Sequence, residues 1–238
     1  MLNNLHNYLE VTDLTPQTAR KVLDRAKVIR NLVETGLCND SKQPLSGHNT
    51  AFVSKAESLR TKGGISLATT RMGGHMEFFG KDSLLDENGK SREPLPDMVQ
   101  CLHEQGYPIV WLRLGKHEEL LEVAEVATKG AVGNALTKGS HPTQPLAELE
   151  ILEMISGSTQ NHVVVYFGDG NNVALSLAQL CMLLGYKFIH SGPDIADYRL
   201  DESLITQLPG GGGFEFIENK EIAIREATYV CTDVHASM

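Results

Sequence analysis

From Thr15-Pro16 onward the apolar positions Ala19, Val22, Leu23, Ala26, Ile29 and Val33 recur at intervals of three and four, and Gly36 closes the run. That period predicts an amphipathic helix laid over a core. Beyond it the pattern changes. Short apolar β-type runs at 50–54, 76–79, 109–112, 162–167, 187–190, 214–217 and 228–232 alternate with helical runs, the longest at 61–72, 118–128, 142–155 and 172–184. Strand and helix in alternation predict an α/β fold with parallel sheets, here two doubly wound domains. The polar link Gly157-Ser158-Thr159-Gln160-Asn161 suits a boundary, which gives domains 1–156 and 157–238. Ligands of such sheets bind beyond the carboxyl ends of strands, so chemistry is expected in the loops after Ser54, Leu112, Phe167 and Thr232.

Composition narrows the class. The chain has 238 residues, 41% of them hydrophobic and 21% charged, enough for one large or two modest domains. A net charge of −9 without a run of Lys or Arg gives no footprint for nucleic acid or an anionic membrane. No apolar run approaches the roughly 20 residues that span a bilayer, and the start Met1-Leu2-Asn3-Asn4 lacks leader character, so the expected location is the cytoplasm. Cys38, Cys101, Cys181 and Cys231 form no Cys-x-x-Cys pair, which argues against zinc and a disulfide framework and reads them as small buried hydrophobes. No cofactor is called for.

Four segments carry chemistry-bearing residues. His141-Pro142-Thr143-Gln144 sets an imidazole and a carboxamide one turn apart at a helix start, where Pro costs nothing. A neutral His donates to a carbonyl oxygen, and a Gln offers both donor and acceptor to a neighbouring –NH2; a plain cap would look the same. The loop that opens on Lys55 and runs through Ser58-Leu59-Arg60-Thr61-Lys62-Gly63-Gly64 into a helix reads as an anion cradle, or as an N-cap with a solvated Arg. Gly168-Asp169-Gly170-Asn171-Asn172-Val173 resembles a dinucleotide turn but has Val173 in place of the third glycine. The next strand, ending in His190-Ser191, also lacks the acid that would bind a ribose. Asn171 and Asn172 either cap a helix or bind an amino-acid head group. At the end of the chain, Asp233 suits an ammonium, while Cys231, Asp233 and His235 alternate along extended chain and are not read as a metal site. His6, His117 and His162 read as surface or capping residues, and 210–213 as a flexible loop.

Taken together, Ser58-Leu59-Arg60-Thr61, Met72-Gly73-Gly74-His75, His141-Pro142-Thr143-Gln144-Pro145-Leu146-Ala147, Gly168-Asp169-Gly170-Asn171-Asn172-Val173-Ala174 and Thr232-Asp233-Val234-His235-Ala236-Ser237-Met238 resemble the carbamoyltransferases, in order and over nearly the whole chain. The last two segments look like the ornithine branch. The resemblance implies a carbamoyl-phosphate domain followed by an amino-acid domain, a homotrimer, and transfer of a carbamoyl group from carbamoyl phosphate to the side-chain amine of ornithine or a related amino acid. It implies that Ser58, Arg60 and Thr61 hold the phosphate, and that His141 and Gln144 hold the carbamoyl group. Asn172, Asp233, Ser237 and Met238 would hold the amino acid, with His141, Arg60 and Gln144 as the catalytic set.

The chain also departs from that pattern. Leu59 stands for a hydroxyl residue of the phosphate loop, Lys62-Gly63-Gly64 softens the helix start, and Leu84 takes the place of a Gln that reaches a neighbouring subunit. The arginine expected at Leu112 comes one residue late, as Arg113, an offset expected to turn it to the other face of its strand. The family's His-Cys-Leu-Pro loop and final helix are not within the sequence, which is expected to leave apolar surface uncovered on the first domain. The rival reading is therefore a non-catalytic relative that binds or regulates.

Overall fold

The apolar runs form parallel strands because side chains on both of their faces need covering, which only helices on both sides of a sheet supply. The computed structural model describes residues 6–35, 43–56, 58–157 and 161–233. Helix α1 (Pro16–Glu34) precedes β1 (Asn49–Ser54), α2 (Leu59–Arg71), β2 (His75–Phe79), α3 (Lys81–Leu84), α4 (Leu95–Glu104), β3 (Ile109–Arg113), α5 (His117–Val126) and β4 (Ala131–Leu136). There follow α6 (Thr143–Ser156), β5 (Val163–Phe167), α7 (Asn172–Leu184), β6 (Lys187–Ser191), β7 (Gly213–Phe216), α8 (Lys220–Ala223) and β8 (Tyr229–Thr232). Packing separates two units, Met1–Leu9 with Val28–Lys138 and Glu10–Lys27 with Gly139–Met238, each with one four-stranded parallel sheet. The division does not follow the link at 157. Helix α6 belongs by packing to the second unit, since its Leu149 and Leu152 are buried in the core around α7.

In the first unit the strands lie in the order β2-β1-β3-β4. Ala51 and Val53 of β1 face a core shared with α4 and α5, while Phe52 faces the opposite side with Met76 and Ala135, where Ile65 of α2 packs. Leu84 is buried in the first of these cores. Strand β4 is absent from the sequence-based expectation because Gly133 and Asn134 interrupt its apolar pattern. Both have local reasons. A Cβ at Gly133 would come 2.4 Å from the Trp111 ring. Asn134 is buried; its backbone N–H donates to Tyr8 O and its Nδ2 donates to Leu9 O, each at 2.8 Å.

The second unit has the order β7-β6-β5-β8. Helix α7 is buried on nearly every side from Val173 to Leu183, which explains its all-round apolarity. The glycines at 210–213 are not a slack linker. A Cβ at Gly210, where φ is +119°, would lie 2.3 Å from Met182 O, so chain passage over the end of α7 demands glycine. Two side-chain expectations also change. His162 is buried against the edge of the Tyr186 ring, with Nε2 bonded to Gly157 O, and Cys101 is exposed.

One carboxylate ties the start of α1 to this core. Glu153, 3% exposed, accepts from Arg20 Nη1 and Nη2 at 2.7 Å each and from Tyr186 OH at 2.5 Å, and pairs with Lys27 Nζ at 2.6 Å. Burial alone would raise its pKa; the bonds from Arg20, Lys27 and Tyr186 overcome that and hold it at about 2.

Two stability changes follow. Glu153→Gln leaves two cations without their carboxylate and is expected to cost about 3 kcal/mol in urea unfolding at neutral pH. Because the folded pKa is depressed, that stabilisation is complete above the ordinary carboxylate pKa of 4.5 and fades as pH falls toward about 2, so the variant's deficit should shrink over the same window. Conversely, Gly64→Ala in α2 meets open space and no positive φ, and should raise stability by about 0.8 kcal/mol, read as a higher Tm.

Candidate functional site

Each sheet has a point where the strand order reverses. In the first unit it lies between β1 and β3, whose ends pair at Ser54 and Arg113. In the second it lies between β5 and β8, paired at Phe167 and Thr232. Crevices at such points are where doubly wound sheets bind ligands. The loops singled out from sequence sit at both.

In the first unit, Ser54 Oγ donates to Ala56 O and accepts from Ala56 N, which fixes the exit from β1. Ser58 then occupies the N-cap position of α2 with extended backbone, yet its hydroxyl makes no capping bond. Instead Arg113 Nη1 donates to both Ser58 Oγ and Thr61 Oγ1, at 3.3 Å each. Amide groups of the first helical turn have no partner within the helix, so this turn, two hydroxyls and a guanidinium form a cradle for an anion. Arg60 is exposed beside it, and Leu59 is 90% exposed.

Arg113 lies on the opposite face of its strand from Leu112, as the offset predicts, and that face is the one α2 covers. Leu112 points into the α4 and α5 side of the sheet, where it is fully buried, whereas residues of alternate parity such as Trp111 face α2. The offset of one residue therefore aims Arg113 toward the α2 loop rather than away from it. A cavity of about 610 Å³ adjoins this point, bounded by Lys55, Ala56, Arg113 and Lys138 and by apolar Leu95 and Met98.

In the second unit, Pro142 stands at the N-cap of α6 and His141 just before it. His141 is 8% exposed; its backbone N–H donates to Ser176 Oγ at 3.1 Å, and ring Nδ1 lies 3.5 Å from Thr143 Oγ1. Gln144, in the first turn, donates from Nε2 to Glu148 Oε1 at 2.7 Å. At the end of β5, Asn171 is a cap: its Oδ1 accepts from Val173 N and Ala174 N, and its Nδ2 donates to Asp169 Oδ1. Asn172 is the first residue of α7, and Asp233 follows β8. Burial and then the Asp233 charge raise the pKa of the Tyr166 phenol, and burial raises that of Glu148, where the bond from Gln144 opposes it and Asp233 adds to it. Gln144, Glu148, Tyr166 and Asp233 thus share one end of the second sheet. Ser237 and Met238 lie outside the described residues.

Glu148 was missed from sequence. Its signal was the spacing of four from Gln144 on one helix, which makes the two side chains neighbours. Among the described residues no group of three or more His, Cys, Asp or Glu side chains is placed to hold a metal ion.

The family model for the aspartate/ornithine carbamoyltransferase carbamoyl-P binding domain matches residues 6–153. The ornithine carbamoyltransferase of Haloquadratum walsbyi is 32% identical over 98% of this chain and 73% of its own length. The chloroplastic enzyme of Pisum sativum is 28% identical over 99% and 61%. Among solved structures, ornithine carbamoyltransferase from Pyrococcus furiosus superposes with a TM-score of 0.86 at 28% identity, covering 98% of this chain and 73% of that one. The Thermus thermophilus counterpart gives 0.81 at 27%, covering 96% and 74%.

Arg113→Ala removes the charge that faces both loop hydroxyls. It is expected to weaken inorganic phosphate binding about tenfold in calorimetric titration, while thermal stability changes little.

Proposed function

Since this chain belongs to the aspartate/ornithine carbamoyltransferase family, we propose that it moves the carbamoyl group of carbamoyl phosphate to the side-chain amine of ornithine, giving citrulline and phosphate. The observation that carries this reading is the cradle formed by Ser58, Thr61, Arg113 and the first turn of α2. It suits a phosphate on geometry alone, at the switch point of its sheet. Ser58, Arg60 and Thr61, joined by Arg113, take the phosphate in this proposal, and His141 and Gln144 take the carbamoyl group. Asn172, Asp233, Ser237 and Met238 take the amino acid. The domain limits 1–156 and 157–238, a homotrimer, a cytoplasmic location and the absence of cofactors belong to the same proposal.

The chemistry needs little beyond placement and charge. The neutral amine forms a bond from its lone pair to the carbonyl carbon, and the oxygen gains negative charge. Donors from His141 and the arginines stabilise it; the carbon–oxygen bond to phosphate then breaks, the electron pair leaves with phosphate, and the attacking nitrogen loses its proton to phosphate or solvent.

A second reading, a binding or regulatory protein without turnover, draws on Leu59. It puts an exposed apolar side chain into the phosphate loop. A citrulline assay with carbamoyl phosphate and ornithine decides between them. Turnover should fall at least about 100-fold in His141→Ala and Arg60→Ala, as for removal of a transition-state donor. If the unaltered chain turns over no faster than these variants, the catalytic reading fails. Phosphonoacetyl-ornithine raising Tm without turnover would then support binding alone.

A further inference from the structure

A carboxamide presents a donor at one end and an acceptor at the other, and its neighbours decide which end faces a ligand. Gln144 has one such neighbour. Its Nε2 lies 2.7 Å from Glu148 Oε1, one helical turn along α6, and this is its sole side-chain hydrogen bond among the described residues. An ionised carboxylate only accepts, so the amide nitrogen of Gln144 is committed to Glu148, and Oε1 is left as an acceptor.

We infer that Glu148 is a positioning residue, which holds the Gln144 amide in the one orientation that accepts a hydrogen bond and so makes this half-site selective for a ligand carrying –NH2. This deepens the carbamoyl-phosphate reading and rests on it.

Among the described residues nothing in the packing gives Glu148 another task. Its second oxygen is buried and has no partner among the described residues. Among the described residues, the groups that share its electrostatic environment are Asp233, Tyr229 and Cys231 around β8 and Cys181 of α7, none of them a cation. A half-buried carboxylate that faces no cation among the described residues costs stability, in contrast to Glu153 a turn further along the same helix, which is paired with Arg20 and Lys27. Burial and the Asp233 charge push the Glu148 pKa upward against the bond from Gln144. Such groups concentrate at functional sites.

The test compares two stable phosphonates of nearly the same shape. Phosphonoacetamide carries –NH2 on its carbonyl; acetonylphosphonate carries –CH3. Calorimetric titration of the full chain should show the amide bound about tenfold more tightly, the worth of one well-placed hydrogen bond. In Glu148→Gln the partner both donates and accepts, the Gln144 amide is no longer committed, and the preference should fall below about threefold. Affinity for acetonylphosphonate and for inorganic phosphate should stay within about twofold, a pattern that general loosening of the fold would not produce. Glu148→Leu, which removes the acceptor altogether, should give the same loss and serves if the Gln variant does not melt cooperatively. In a Gln144→Leu background, where the preference is already gone, Glu148→Gln should change nothing further.

An unchanged tenfold preference in both Glu148 variants overturns the inference and leaves the carbamoyl-phosphate reading standing. Equal binding of the two phosphonates by the unaltered chain overturns the inference in the same way. Binding of neither phosphonate nor phosphate by the unaltered chain overturns the carbamoyl-phosphate reading, and the inference with it.

Discussion

The order of the parallel strands in each sheet constrains everything else in this chain. Two strands joined by a covering helix extend a sheet in one direction, and a strand added on the far side of the first opens a crevice where the order reverses. The first unit does this between β1 and β3, the second between β5 and β8. The residues at the ends of those four strands are Ser54, Arg113, Phe167 and Thr232. The anion loop, the Asn171-Asn172 turn and Asp233 each begin within a few residues of one of them. Topology therefore supplies the concave places, and the loops need only furnish donors and charges.

Much of that topology was legible from the alternation of apolar runs, because a strand buried on both faces and a helix with a three-four period leave different signatures. Where reading failed, one residue was answering to a neighbour distant in sequence. Gly133 yields space to Trp111 and Asn134 answers the backbone of Tyr8 and Leu9, so β4 lost its apolar pattern. The glycines at 210–213 looked slack because the Met182 carbonyl that excludes a side chain there is invisible in sequence. That α6 packs with the second unit was not legible, because its apolar residues do not announce which core they enter.

The candidate site shows the same limit at finer scale. Ser58, Thr61, His141, Gln144 and Asn172 were visible as residue types at helix starts, where unpaired amides and polar side chains congregate. Arg113 was visible and its turn to the face opposite Leu112 was expected, but which face α2 covers was not. Of the two adjacent asparagines, only geometry separates Asn171, spent on capping α7 and on Asp169, from Asn172, the first helical residue.

Magnitudes indicate how far Leu59 weakens the anion loop. A neutral hydroxyl donor contributes about 0.5–1.5 kcal/mol net, so its loss lowers phosphate affinity by about tenfold or less. A guanidinium on the same oxygens contributes about 1.5–3 kcal/mol, and the helix start adds its amides and partial charge. Arg113, held at Ser58 and Thr61, is thus the larger contribution, and Leu59 the smaller subtraction. A loop with that balance keeps its preference for a dianion while binding it less tightly than a loop with a hydroxyl at every position.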